Sequence, residues 1–286
     1  MIQPSSSNLW QSAGRTPAGT YYRTYGERQR QAPVVVLIHG VGLDHQMWMP
    51  QVQTLSTYHG VVIYDVLGHG LSPRPDGSAG LEAYADQLEE LISHLALDQT
   101  VVVGFSMGGL VARAYALRQP SALIGLAILN SVFDRSEAQC EGVAARVAEV
   151  ERHGPGANVE QALERWFSAK YRHNHPERIV SLRRRLTTND PQGYRISYRL
   201  FAREHDHGID RLEVIDVPTL VATGEFDVGS TPAMSEALAS RIARARCVIV
   251  PGQLHMMASE APDQVNALLL ELCQSAQEHA LTRELC

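Results

Sequence analysis

Gly104-Phe105-Ser106-Met107-Gly108 is the stretch on which the reading of this chain turns. A β-branched run, Thr100-Val101-Val102-Val103, precedes it, and a helix-like run over 110–119 follows. A G-x-S-x-G between strand and helix predicts a sharp turn that lifts the serine oxygen above the sheet, over a helix N-terminus. Flanking glycines let the backbone turn tightly without Cβ clashes. The pentapeptide alone is a short pattern. An acid and a histidine in the right order downstream give it weight.

Residues 218–223 read as a buried strand ending in Gly224-Glu225-Phe226-Asp227, and Cys247-Val248-Ile249-Val250 as another ending in Pro251-Gly252-Gln253-Leu254-His255. Ser106, Asp227 and His255 each lie just past the carboxyl end of a strand, where open α/β sheets gather their ligands. This order of nucleophile, acid and histidine resembles the α/β-hydrolase superfamily, and the likeness runs over 20–273. It implies an α/β fold, a mostly parallel twisted sheet with helices on both faces, and a helical cap inserted after the sixth strand. It also implies catalysis by Ser106, Asp227 and His255, with no metal and no cofactor. Asp134, beyond the strand at 123–129, is a rival acid, but only Asp227 sits in the family's G-x-x-D turn. Replacement of Asn130, or of Asp134 by asparagine, is therefore expected to be harmless.

Residues 33–38 form an almost unbroken apolar run that ends in His39-Gly40-Val41-Gly42. Acyl transfer needs two backbone N–H donors aimed at the developing oxyanion. The resemblance assigns them to Val41 and Met107. After a further strand at Val61–Tyr64 comes Asp65-Val66-Leu67-Gly68-His69-Gly70-Leu71-Ser72, similar to the superfamily's D-x-x-G-x-G-x-S turn. It reads as a structural turn near the oxyanion loop, with His69 as a hydrogen-bonding turn residue.

The chain has 286 residues, 44% hydrophobic and 20% charged, enough for one large core. With a net charge of −6 and no basic run, it offers no surface for nucleic acid. Neither a signal peptide nor a membrane-spanning run is visible, so a cytoplasmic enzyme is expected. Cys140, Cys247, Cys273 and Cys286 are widely spaced, as free thiols in a reducing compartment would be. His173/His175 and His205/His207 have H-x-H spacing, but in a helical region they diverge and read as surface residues. A dinucleotide turn at 104–109 lacks its acid beyond the next strand, and no G-K-[ST] signals a P-loop.

Composition divides the chain into a loose tail (1–19), a core (20–130 and 214–286) and an inserted segment (131–213) without a clear strand. A helical period marks 81–95, and Thr231-Pro232 and Pro262 open later helices. The segment over 165–211 holds 11 basic against 5 acidic residues. In the first helix of the inserted segment 131–213, Arg146 falls on the apolar stripe of Val143, Val147 and Val150. An inward arginine needs an anionic partner, and a substrate carboxylate would serve. Trp166 and Phe167 read as packing within the insertion rather than as pocket residues.

The sequence thus predicts a serine hydrolase acting through an acyl-enzyme on a small, carboxylate-bearing ester or enol-lactone, similar to 3-oxoadipate enol-lactonase-like enzymes. The alternatives are hydrolysis at a C–N bond of an aminomethylene-succinate-type acid or at a C–C bond of a ring-cleavage product. A perhydrolase and a hydrolase-fold receptor keep the same triad. The partner is expected to be a small anionic molecule, with no nucleic acid and no membrane. A serine at the elbow argues against the haloalkane dehalogenases and epoxide hydrolases, which carry aspartate there.

Overall fold

The computed structural model describes residues 10–29 and 32–284. Eight strands form one sheet: β1 (Ser12–Arg15), β2 (Tyr21–Tyr25), β3 (Val34–Ile38), β4 (Val61–Tyr64), β5 (Thr100–Phe105), β6 (Leu123–Leu129), β7 (Thr219–Gly224) and β8 (Ala245–Val250). Their order across the sheet is β1-β2-β4-β3-β5-β6-β7-β8. β2 runs antiparallel to both its neighbours, β1 and β4, and every later pair is parallel, with Leu37 opposite Val103 and Phe105 opposite Leu129.

Strands β3 to β6 are buried along their whole length because helices cover both faces, which is why they read as unbroken apolar runs. Alternate residues feed two separate cores. Val36, Ile38 and Val102 pack with α2 (Leu81–His94) and α3 (Met107–Ala116). Val35, Leu37, Val101 and Val103 pack with α1 (Met49–Leu55) and with the C-terminal helix that opens at Pro262.

Between β6 and β7 the regular elements are all helices. The chain forms α4 (Glu137–His153), α5 (Val159–Trp166), α6 (Ala169–Asn174), α7 (Pro176–Thr187) and α8 (Pro191–Arg203), then short 3-10 turns at Glu204–Asp206 and Ile209–Val214. Ser136 opens α4 with a capping box to Gln139, and Asp190 caps α8 ahead of Pro191. α9 (Pro232–Ala239), α10 (Met257–Glu260) and α11 (Pro262–Glu284) complete the core, with α9 capped by Thr231.

The expected loose tail needs correction. Ser12–Arg15 is an edge strand despite its Ser/Gly composition, and Ser12 bonds Thr24 through both backbone and side chain. Trp10 donates to the Gly26 carbonyl, and its ring lies where a Cβ on Gly60 would stand, 3.1 Å away. Pairing with β2 overrides local propensity here. Residues 1–9 of that tail and Cys286 lie outside the described residues; Cys140, Cys247 and Cys273 are free thiols. Among the described residues no helix is long and apolar enough to cross a membrane.

Candidate active site

The carboxyl ends of β5, β7 and β8 deliver Ser106, Asp227 and His255 to one cavity of about 290 Å³. Ser106 stands between β5 and α3 with φ 54° and ψ −116°, a conformation that L-residues with a Cβ avoid. The strain is carried by the serine itself. The two glycines serve close approach instead: a Cβ on Gly104 would come within 2.1 Å of the Gly108 carbonyl oxygen, and one on Gly108 within 2.4 Å of the Ile38 oxygen. Ser106 N–H donates to Leu129 O, and Ser131 Oγ donates to Ser106 O, each at 2.8 Å, so β6 and its exit hold the turn from both sides.

His255 Nδ1 lies 2.7 Å from Asp227 Oδ2. The other carboxylate oxygen accepts from the N–H groups of Gly229 and Ser230, both at 2.9 Å. Burial pushes the Asp227 carboxyl up, but the nearby His255 and the hydrogen bonds from His255, Asn130 and Ser230 outweigh it and hold it below the usual range. Asp134 is exposed at the surface and does not line this cavity. Asn130, expected to be dispensable, instead donates to Asp227 Oδ2 at 3.0 Å.

Past β3, Gly40 presses against the Ser106 turn, where a Cβ would lie 3.1 Å from that of Ser106. Val41 lines the cavity, and Met107 is the first residue of α3. Among the described residues neither N–H meets an acceptor within the protein. Two buried histidines shape this loop. His69 Nε2 accepts from Gly42 N–H at 2.8 Å while its Nδ1 donates to Leu67 O. His39 Nε2 accepts from Val66 N–H at 3.0 Å while its Nδ1 donates to Gly40 O. Each accepting role requires a neutral ring, and burial lowers both, His69 to about 3. Burial pushes Asp65 up, yet the hydrogen bond from His45 and neighbouring histidines bring it down to about 2. Asp65 pins the turn through Leu71 N–H and His45.

The helices between β6 and β7 wall the rest of the cavity, and three arginines face it: Arg135, Arg146 and Arg165. Among the described residues none of the three pairs with a carboxylate. Arg135 is nearly buried, stacks 4.5 Å from the Phe201 ring and donates to the carbonyls of Phe201 and Ala202. Burial and then the charge of Arg146 lower both Arg135, to about 10, and Arg165. Tyr194 and Tyr198 line the same wall. Arg146 stands where its helical stripe places it. Arg135 and Arg165 escaped the sequence reading, although Arg165, three residues past Ala162, borders the apolar stripe of α5.

Trp166 also corrects an expectation, since it lines the cavity, its ring 5.8 Å from that of His255. Phe167 is buried and stacks on Tyr171. Of the paired histidines, His205 accepts from Arg135 N–H and meets Cys140 Sγ at 3.4 Å, whereas His207 pairs with Glu82 and Glu204.

Comparison with known proteins agrees with this architecture. The family model described as alpha/beta hydrolase fold matches residues 33–262. The chain is 32% identical to the (E)-2-((N-methylformamido)methylene)succinate hydrolase of Acinetobacter baylyi, over 83% of this chain and 89% of that one. The crystal structure of the enol-lactonase from Burkholderia xenovorans LB400 superposes with a TM-score of 0.83 at 29% identity, covering 92% of this chain and 100% of the other. A thermophilic esterase from Thermogutta terrifontis, solved with malate bound, gives 0.80 at 31% identity, covering 94% and 98%. The chain is a member of the α/β-hydrolase family, and it is a hydrolase.

Proposed function

We propose that the protein is a serine hydrolase that cleaves a small carboxylate-bearing ester or enol-lactone. The observation that carries this reading is the single cavity lined by Ser106, Asp227 and His255, with His255 held by Asp227 at 2.7 Å. His255 Nε2 takes the Ser106 proton as Oγ attacks the substrate carbonyl. The N–H groups of Val41 and Met107 receive the oxyanion. As the tetrahedral intermediate collapses, His255 protonates the leaving oxygen and the acyl-enzyme remains. A water deprotonated by His255 then attacks the acyl carbon, and the proton returns to Ser106 as the acid leaves.

Three arginines without carboxylate partners favour an anionic substrate, because a guanidinium taken out of water, as burial does to Arg135 and Arg165, is costly until it is paired. A volume of about 290 Å³ suits a small molecule. The helices over 131–213 act as a cap that roofs Ser106 and excludes water. A second reading, hydrolysis of a C–N bond in an aminomethylene-succinate-type acid, draws on the same arginines, since such an acid brings two carboxylates. It also draws on the 32% identity to a hydrolase of that kind. Within the triad chemistry the two differ only in whether oxygen or nitrogen leaves.

The test is steady-state hydrolysis of two matched panels, with Ser106→Ala as the blank. Neutral short-chain p-nitrophenyl esters form one panel, and carboxylate-bearing enol-lactones and aminomethylene succinates form the other. A large kcat/KM preference for the acids is expected, and the better-cleaved acid decides between the two bonds. Preference for the neutral esters would make the protein a general carboxylesterase. Full activity in Ser106→Ala would end the serine mechanism.

A further inference from the structure

β6 lies between the strand that ends at Ser106 and the strand that ends at Asp227, so the first residue past β6 falls between the two. That residue is Asn130, fully buried, with φ 48°. One proton of its amide goes to Asp227 Oδ2 at 3.0 Å, the oxygen that also faces His255 Nδ1. The other goes to Thr223 Oγ1 at 3.2 Å. Thr223 directs its own proton to Ser230 O at 2.7 Å rather than to Asp227 Oδ2 at 3.4 Å, which leaves its oxygen free to accept. Both neighbours of the amide nitrogen are therefore acceptors, and this fixes which end of the side chain carries the NH2 group.

The arrangement is costly. Asn130 Oδ1 is buried without a partner, and the left-handed backbone is a conformation that asparagine tolerates better than most residues. Strain and an orphaned acceptor at a buried position whose side chain bonds only toward the site point to function.

We infer that Asn130 is a positioning residue, whose amide fixes the Asp227 carboxylate and shares the oxygen that orients His255. The inference rests on Ser106, His255 and Asp227 acting as proposed above. With Asn130 in place, Oδ2 meets two directed donors and Oδ1 two backbone N–H groups, so the carboxylate cannot swing as the imidazole becomes charged. Removing the amide frees that rotation and leaves more negative charge facing the imidazole. The first effect lowers the rate; the second moves the acid limb of the kcat/KM profile to higher pH. The charged groups that share the cavity, Arg135, Arg146 and Arg165, are unchanged by the substitution.

A double-mutant cycle on a neutral p-nitrophenyl ester tests this, with wild type, Asn130→Ala, Asp227→Asn and the double variant assayed from pH 5 to 9. Asn130→Ala should cost about tenfold or more in kcat/KM beside Asp227, and less than about threefold beside Asn at 227. Asn130→Gly, which suits the left-handed backbone at φ 48° and so guards against a folding defect in the alanine variant, should move the acid limb upward as Asn130→Ala does. Equal losses in both backgrounds, or an acid limb that moves in neither variant, overturn the inference. Wild-type rates in Asp227→Asn or Ser106→Ala would instead overturn the triad reading beneath it.

Discussion

The indole of Trp166 lies 5.8 Å from the imidazole of His255, tilted by 33°, and the backbone carbonyl of Trp166 accepts from Met256 N–H at 3.0 Å. The end of α5 is thereby tied to the loop that carries the proposed base. His255 also meets Phe105, at 5.0 Å. The imidazole thus contacts one ring from the core and one from the helical insertion.

Trp166→Ala should expose this face of the imidazole to water and widen the cavity. We expect kcat for acetyl esters to fall about tenfold, while hexanoyl esters lose much less. The ratio of the two rates is the measurement. An unchanged ratio would show that the indole does not bound the acyl pocket.

Arg165→Gln should lower kcat/KM for carboxylate-bearing substrates by about 10- to 100-fold, the range of a lost charge-assisted hydrogen bond. Neutral esters should keep their rate within about twofold. Arg146→Gln should behave in the same way. Arg135→Gln should in addition lower Tm, because Arg135 alone of the three donates to the carbonyls at the end of α8. Equal losses on neutral and anionic substrates would sink the assignment of these arginines to substrate.

How much of this was legible in the sequence depends on how local each feature is. β3, β5 and β6 are continuous apolar runs, β3 and β5 with glycine turns at their ends, and Ser106, Asp227 and His255 lie just past strand ends. Arg146 lay on a helical stripe. β1 was hidden because its pairing with β2 and the Trp10 contact to Gly60 are set by distant chain, not by composition. Asn130 looked idle because its role depends on β6 lying between β5 and β7, an adjacency that no local pattern encodes. Arg135 follows a loop without periodicity. Trp166 sits on an apolar helix face that could equally have packed against its neighbours.

Ser106 is held at φ 54° and ψ −116°, and such strain costs about 1–3 kcal/mol. Ser106→Ala keeps the Cβ and therefore the strain. Ser106→Gly removes it, against an entropic penalty of about 0.5–1 kcal/mol for glycine in the unfolded chain. We expect both variants to be inactive, with the glycine variant about 1 kcal/mol more stable in urea unfolding. Equal stabilities would mean that the turn is relaxed.

His69 is buried, accepts from Gly42 N–H, and is lowered from 6.5 to about 3 in the folded protein. The unfolded chain therefore binds a proton between those values while the folded protein does not. Stability from this residue is fully present above about pH 6.5 and is lost as pH falls through the window below it, by about 1.4 kcal/mol per pH unit. His39, lowered in the same direction, adds to the slope. His69→Gln keeps an acceptor but cannot titrate. It should flatten the decline in unfolding free energy between pH 6.5 and 5 by about 1 kcal/mol per unit, even if it starts from a lower value at pH 8. Denaturant titrations at four pH values measure that slope directly. An undiminished slope in His69→Gln would place the acid sensitivity elsewhere, with His39 the next residue to replace.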